Sequence, residues 1–267
     1  MWERSFLKQN AKLVLKTNYW MALAVCLVAG ILTGSSGGSS SAVTRATNSF
    51  NGAYSGSYSD YYHDFSNSID SLVSSIGLAV VIFVIILVSL IGIAYSAFVA
   101  NPIEVGKTRY FVQSRRQVSK FTLLFSSFKS EAYLGAVKTM FLRDIFIFLW
   151  TLLLIIPGII KGYAYRMVPY ILADNPNIGA GRAIELSEQM TKGEKFNMFV
   201  LDLSFLGWIL LSALTCGIGM IFLKPYMEAT FTELYAVLKD KAYRGGLCSP
   251  AELNEYYPQA PNGNSEF

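Results

Sequence analysis

Between Leu72 and Ala100 the chain reads LVSSIGLAVVIFVIILVSLIGIAYSAFVA, an apolar run without a charged residue. A bilayer core is about 30 Å thick, and a helix needs roughly 20 mostly apolar residues to cross it. The run is long enough to span with tilt. Composition agrees: 53% of the residues are hydrophobic and only 15% charged, where soluble domains carry roughly a quarter. This excludes a disordered chain and argues against a soluble globular enzyme.

Two further strong segments follow. Ile145 to Ile160 (IFIFLWTLLLIIPGII) is preceded by Arg143 and Asp144, and Phe199 to Leu223 carries one charge, Asp202. Three weaker ones are Tyr19 to Leu32, Tyr163 to Ala173 with Arg166 and Pro169, and Tyr226 to Leu238 with Glu228 and Glu233. Each weak segment lies beside a strong one or at the chain start, where a hairpin partner or anchor is expected. The first also has the shape of a secretory signal. An uncleaved span is preferred; Val25 before Cys26 is too bulky for a lipoprotein cleavage box.

Lys and Arg of short loops stay on the cytoplasmic side. Residues 1–18 hold Arg4, Lys8, Lys12 and Lys16; 101–133 hold Lys107, Arg109, Arg115, Arg116, Lys120 and Lys129. Residues 175–197 hold Arg182, Lys192 and Lys195, and the tail opens with Lys239, Lys241 and Arg244. The 33–70 stretch holds only Arg45. Six spans with both termini inside satisfy this pattern. The expected organisation is an amphipathic segment over 1–18, a transmembrane bundle over 19–240 and a cytoplasmic tail over 241–267. Lys8, Lys12 and Lys16 recur on one helical face, which suits a helix on an anionic inner surface. The external 33–70 loop is rich in Ser, Gly, Asn and Tyr, too polar to build a core.

The most distinctive stretch is Leu149 to Asn197. Pro157-Gly158 near a span end is expected to break the helix, Pro169 to repeat the break, and Asn175-Pro176 to end the next segment. Ala180 to Met190 reads as an amphipathic elbow, with Ala183, Ile184, Leu186 and Met190 opposite Arg182, Glu185 and Glu188. LLLIIPGII, YAYRMVPYILADNP and LSEQMTKGEKFNMFVLDLSFLGW, in that order, resemble the bacterial integral membrane family filed as domain of unknown function 975. Lys8, Ala11-Lys12, Leu15 and Asn18-Tyr19-Trp20 are similar to that family's opening. Asn101-Pro102, Glu104-Val105-Gly106 and Lys224-Pro225-Tyr226 also match. The resemblance implies a bacterial plasma-membrane location and, more distantly, similarity to membrane domains of glycerophosphodiester phosphodiesterases. It implies no catalytic activity.

Within the chain, Asn101-Pro102 is similar to Asn175-Pro176, each followed by a Gly and an Arg (Gly106 and Arg109; Gly179 and Arg182). A parallel repeat and chance are both open readings.

No metalloprotease, phosphate-loop or nucleophile-elbow motif is present. The single histidine, His63, lies at the 33–70 loop, and Cys26, Cys216 and Cys248 are too scattered for a disulfide framework or a metal site. The expectation is therefore no catalytic residue, no metal and no cofactor. A net charge of +4 gives nucleic-acid binding no support. Membrane lipids, and a protein partner or second copy, are the expected partners. The residues that carry candidate structural or functional roles are Pro157, Gly158, Pro169, Asp174, Asn175, Pro176, Asp202 and Pro225, with Asp202 read as the buried acid. The fold class is all-α, a polytopic membrane bundle with amphipathic inner-face helices. A non-enzymatic envelope protein acting through lipid or protein partners is the first functional reading. A small transporter is the alternative, suggested by broken helices and embedded charges; a lipid-modifying enzyme is the third.

Overall fold

The computed structural model describes residues 2–33, 63–116, 119–129, 133–215 and 217–254. Most of the polar loop expected over 33–70, Cys216 and the end of the tail lie outside the described residues. All described secondary structure is helical. The helices are α1 (Arg4–Leu32), α2 (His63–Tyr95), α3 (Asn101–Ser114), α4 (Tyr133–Leu153), α5 (Ile155–Ala164), α6 (Val168–Asp174), α7 (Ala180–Met190), α8 (Lys195–Leu203), α9 (Leu206–Leu214), α10 (Ile218–Arg244) and α11 (Pro250–Asn254). A π-helical turn covers Ser96–Ala100 and a 3-10 helix Phe121–Lys129.

Two compact units are present. Residues 34–96 form one, whose described part is α2. Its Leu, Ile, Val and Phe side chains from Leu78 to Ile93 are exposed all round, the pattern of a helix made for an apolar solvent. Three helical runs are long and apolar enough to cross a membrane: Arg4–Leu32, Gly77–Ser114 and Lys195–Leu214.

The remaining residues form the other unit. Leu7, Ala11, Leu15, Ala22, Val25, Cys26 and Ala29 make a buried stripe on α1, at the three- and four-residue spacing of one helical face. The helix kinks at Asn18, whose φ/ψ of −123°/19° is not helical. Its apolar face packs on protein: Tyr19 donates its hydroxyl to the Phe222 carbonyl of α10, and Lys12 lies 6.0 Å from the Tyr226 ring.

Two antiparallel hairpins organise the rest. α4 is paired with α5 and α6: Thr151 faces Gly158, Trp150 faces Lys161, Phe146 faces Tyr165 and Gly135 faces the Pro176 carbonyl. Contacts that step backward on one strand of helix as they step forward on the other define the reversal. α9 meets α10 likewise, Ser212 against Gly219 and Phe205 against Tyr226. Both tips use the same device. A hydroxyl residue turned onto its own helix (Thr151 to Ile147 O, Ser212 to Trp208 O) stands seven residues before a glycine. A Cβ on Gly158 would lie 2.3 Å from Thr151 Oγ1, and one on Gly219 2.7 Å from Ser212 Oγ. Small residues let helices touch in this way. Gly217, at φ +83°, closes the second tip in a conformation that glycine adopts without strain.

These hairpins correct several expectations. The Ile145–Ile160 run is not one helix: the chain turns at Leu154, whose φ/ψ of −156°/132° is extended. Pro157 is not the break. It occupies the third position of α5, where an N–H would have no intrahelical acceptor, and the Gly158 N–H closes onto Leu154 O at 3.1 Å. Pro169 likewise starts α6. The Phe199–Leu223 run is divided by a turn at Ser204–Phe205 and the tip at Gly217. Pro225 lies inside α10, which runs through it from Ile218 to Arg244. Asn101-Pro102 does not end a helix but starts α3, whereas Asn175-Pro176 ends α6. The two motifs therefore do opposite work, and the repeat reading has no structural counterpart there.

The charged stretch 101–133, read as a loop, contains α3, most of which is buried. A Cβ on Gly106 would lie 1.9 Å from the Leu124 carbonyl oxygen, so the 3-10 helix rides directly on this glycine. α7 spans Ala180–Met190 with Ala183, Ile184, Leu186 and Met190 buried, as the amphipathic pattern requires.

Candidate functional site

The eight singled-out residues do not converge on one site. Pro157 and Gly158 belong to the first hairpin tip, Pro225 is buried within α10, and Pro169 is buried at the start of α6. The polar ones fall into two clusters.

The first forms where α6 ends. Asp174 is 1% exposed, and the same carboxylate oxygen accepts the Tyr235 hydroxyl at 2.7 Å and the Lys239 ammonium, both from α10. Tyr170 stacks on Tyr235 at 5.2 Å. Asn175 turns the chain: its Oδ1 accepts the Asn177 N–H and its Nδ2 donates to the Glu252 carbonyl. Pro176 cannot continue a helix. Arg109 of α3, wholly buried, donates Nε to Ala173 O at 3.2 Å, Nη2 to Leu172 O at 3.4 Å and Nη1 to Ser126 Oγ at 2.8 Å. It thereby meets the carbonyls and the negative dipole end of α6. Nearby, Arg182 grips Glu252 at 2.7 Å and the Leu247 carbonyl at 2.7 Å. The Arg182 guanidinium holds the Glu252 carboxyl below its usual range. α10 continues past Asp240 to Arg244, and Cys248 and Leu253 are buried in the core cluster that contains Leu234 and Leu238.

The second cluster is Asp202 of α8, which accepts Arg166 Nη1 at 2.6 Å and the Tyr163 hydroxyl at 2.8 Å. The Arg166 guanidinium lies 4.0 Å from the Phe231 ring centroid. Asp202 is partly exposed, whereas Asp174 is buried, as are Glu233 and Glu194. The expectation placed burial on the wrong aspartate because depth along a helix does not tell which way a side chain faces.

A third group draws in Arg143, Asp144, Glu228 and Glu233, charges in or beside apolar runs whose partners the sequence does not name. Lys107 of α3 and Arg115, which caps its end, bind Glu228 and Glu233 of α10 at 2.6 and 2.7 Å. Arg143 of α4 binds its neighbour Asp144 at 2.7 Å and lies 3.6 Å from Glu104 of α3, and Asn101 donates to Asp144. These pairs pin α3 between α4 and α10. Glu228 and Glu233 are five apart, and Lys107 and Arg115 eight apart; the sequence lists these charges but not their partners. The role of Arg109 was also missed. Its one legible signal is a cation followed directly by Tyr110, Phe111 and Val112.

Chemically, Asp174 and Lys239 neutralise each other out of reach of solvent, which suits anchoring rather than turnover. The charges where α3 meets α10 are more open: side-chain exposure is 36% at Glu104, 20% at Lys107 and 25% at Glu228, while Ile103, Val105 and Arg109 of α3 are buried.

Neither a curated protein nor a solved structure matches the chain. A family profile described as "Protein of unknown function (DUF975)" matches residues 3–242. That range runs from the first turn of α1 almost to the end of α10 and takes in both hairpins and the three charge groups apart from Leu247 and Glu252, and the chain belongs to this family.

Proposed function

We propose that the protein is a non-enzymatic, six-span integral protein of the bacterial plasma membrane, with both termini in the cytoplasm, that acts through lipid or protein partners. The spans would be the apolar part of α1, then α2, α4, α5 with α6, α8 with α9, and α10. The three long apolar helices, the two reversals and the basic inner segments support this topology. The observation that carries the functional reading is charge pairing. Arg143, Arg166, Lys107, Arg115 and Lys239 each hold a carboxylate. Charges in the bilayer are retained when paired, and such pairs build a scaffold.

A transporter is the second reading, favoured by the partial exposure of Glu104, Lys107 and Glu228 amid buried neighbours. Thermal unfolding of the purified protein against a panel of lipids and solutes tests both. Stabilisation by a lipid class supports the first reading. Stabilisation by one solute, lost on Lys107→Gln, overturns it in favour of the second.

A further inference from the structure

The start of α1 and the first turns of α8 enclose a cleft of about 800 Å³. Arg4 and Lys8 stand on the α1 side, Phe196, Val200 and Ser204 on the α8 side. Unlike Lys107, Arg115, Arg143, Arg166 and Lys239, these two have no carboxylate partner among the described residues. Lys8 Nζ donates to the Ser204 carbonyl at 3.5 Å and lies 4.5 Å from the Phe205 ring centroid. One carboxylate, Glu3, also lines the cleft and accepts the Ser5 hydroxyl, so the lining carries two cations against one acid. Glu194, beside it, accepts Lys241 at 2.6 Å together with Trp2 Nε1 and Asn197 Nδ2.

We propose that this cleft holds the phosphate-bearing headgroup of an anionic membrane lipid, with Arg4 and Lys8 as its ligands and the acyl chains along the open face of α8. Two features select a lipid over a soluble anion. First, the α8 wall is apolar and uncovered: Phe196 is 74% exposed, and Phe199 and Leu203 continue the open face. Second, both walls begin runs long and apolar enough to cross a membrane, Arg4–Leu32 and Lys195–Leu214. Arg4 opens the first run, while Lys8, one turn on, reaches Ser204 partway along the second, so the two cations line the wall from its outer end inward beside the open apolar face. Basic residues at that level attract anionic lipid, and Trp2 is of the type that favours the interface. The inference rests on the reading of the chain as a membrane protein that acts through lipid, and it names the lipid class and the place.

The test is native mass spectrometry and thermal unfolding of the full chain in a neutral detergent, titrated with phosphatidylglycerol, phosphatidylcholine or inorganic phosphate. Phosphatidylglycerol is expected to form a 1:1 adduct and raise the unfolding temperature; the other two are not. Arg4→Gln with Lys8→Gln should weaken the phosphatidylglycerol half-saturation about tenfold or more. Lys192→Gln, which removes an exposed cation outside the cleft, should leave it unchanged. Arg4 is solvent-exposed, so Arg4→Gln alone serves if the double variant does not fold, with a smaller loss in the same direction. Equal loss from Lys192→Gln, or no loss from the cleft variants, would overturn the site while leaving the lipid reading intact. An equal response to inorganic phosphate would make the cleft a simple anion site and overturn the lipid assignment. No response to any lipid would overturn both this inference and the reading it rests on.

Discussion

Replacing Gly106 by Ala sets two opposed effects against each other. Alanine is the better helix former by about 1 kcal/mol, and α3 is helical at this position. Against that, the new methyl would lie 1.9 Å from Leu124 O, 2.7 Å from Leu124 C and 3.2 Å from Leu123 O. These are backbone atoms of the 3-10 helix and cannot rotate away. To restore even a 3.0 Å contact, the Leu124 carbonyl must retreat by about 1.1 Å. Leu124 is itself wholly buried among Ala11, Ile103, Phe111 and Ala229, so retreat disturbs a packed cluster. Overpacking of this kind costs about 1–3 kcal/mol, which exceeds the propensity gain at the upper end and cancels it at the lower. At a chain of this length the expected fall in unfolding temperature is up to about 8 °C. Gly162→Ala is the control: α5 is helical there and nothing lies within 4 Å of the added methyl, so it should hold or raise stability. Scanning fluorimetry in detergent reads both. If Gly106→Ala unfolds at a higher temperature than Gly162→Ala, the close approach of the 3-10 helix to α3 is wrong.

Asp174→Ala removes the carboxylate from a buried ammonium and phenol, and breaking such a pair costs about 3–5 kcal/mol; a parent-like unfolding temperature would place the pair in solvent. Gly158→Leu should lower the unfolding temperature by several degrees through collision with Thr151, whereas Pro157→Ala, in the first turn of α5, should shift it little; the reverse order would move the chain reversal from Leu154 to Pro157. The Glu252 carboxyl is lowered by Arg182, so its contribution is complete above the ordinary Glu range and fades as pH falls through the lowered value, below about 4.3. Hydrogen exchange of α11 amides, corrected for intrinsic rate, should therefore accelerate below that pH in the parent and show no such step in Glu252→Gln. Reporter fusions at Gly193 should be active only with a cytoplasmic reporter and fusions at residue 57 only with an external one; an external signal at Gly193 would remove the fourth span, α5 with α6, from the topology.

The linear chain states its solvent. A long charge-free run at Leu72–Ala100, few charges elsewhere and basic segments between apolar ones point to an all-helical chain with runs long and apolar enough to cross a bilayer, because run length and transfer free energy follow from the residues of each run alone. Local motifs were legible to the same degree. The amphipathic spacing of Ala180–Met190 fixes a helix with one buried face, and Asn175-Pro176 fixes a stop, since Asn closes its own turn and Pro has no N–H to continue the ladder. What sequence could not place were features that depend on two segments meeting. A hydropathy window runs through Leu154 and through Gly217 because the residues on both sides of a hairpin tip are equally apolar. Only the contact of Thr151 with Gly158, and of Ser212 with Gly219, shows where the chain turns. The same holds for charge: Asp202 and Asp174 look alike in sequence, and Arg109 reads as one more inner-loop cation. Tertiary packing alone aims Asp174 at Lys239 and Tyr235, leaves Asp202 at the edge with Arg166, and threads Arg109 to the carbonyls of α6. A side chain's partners are set by the rotation and register of neighbouring helices, which no single helix encodes.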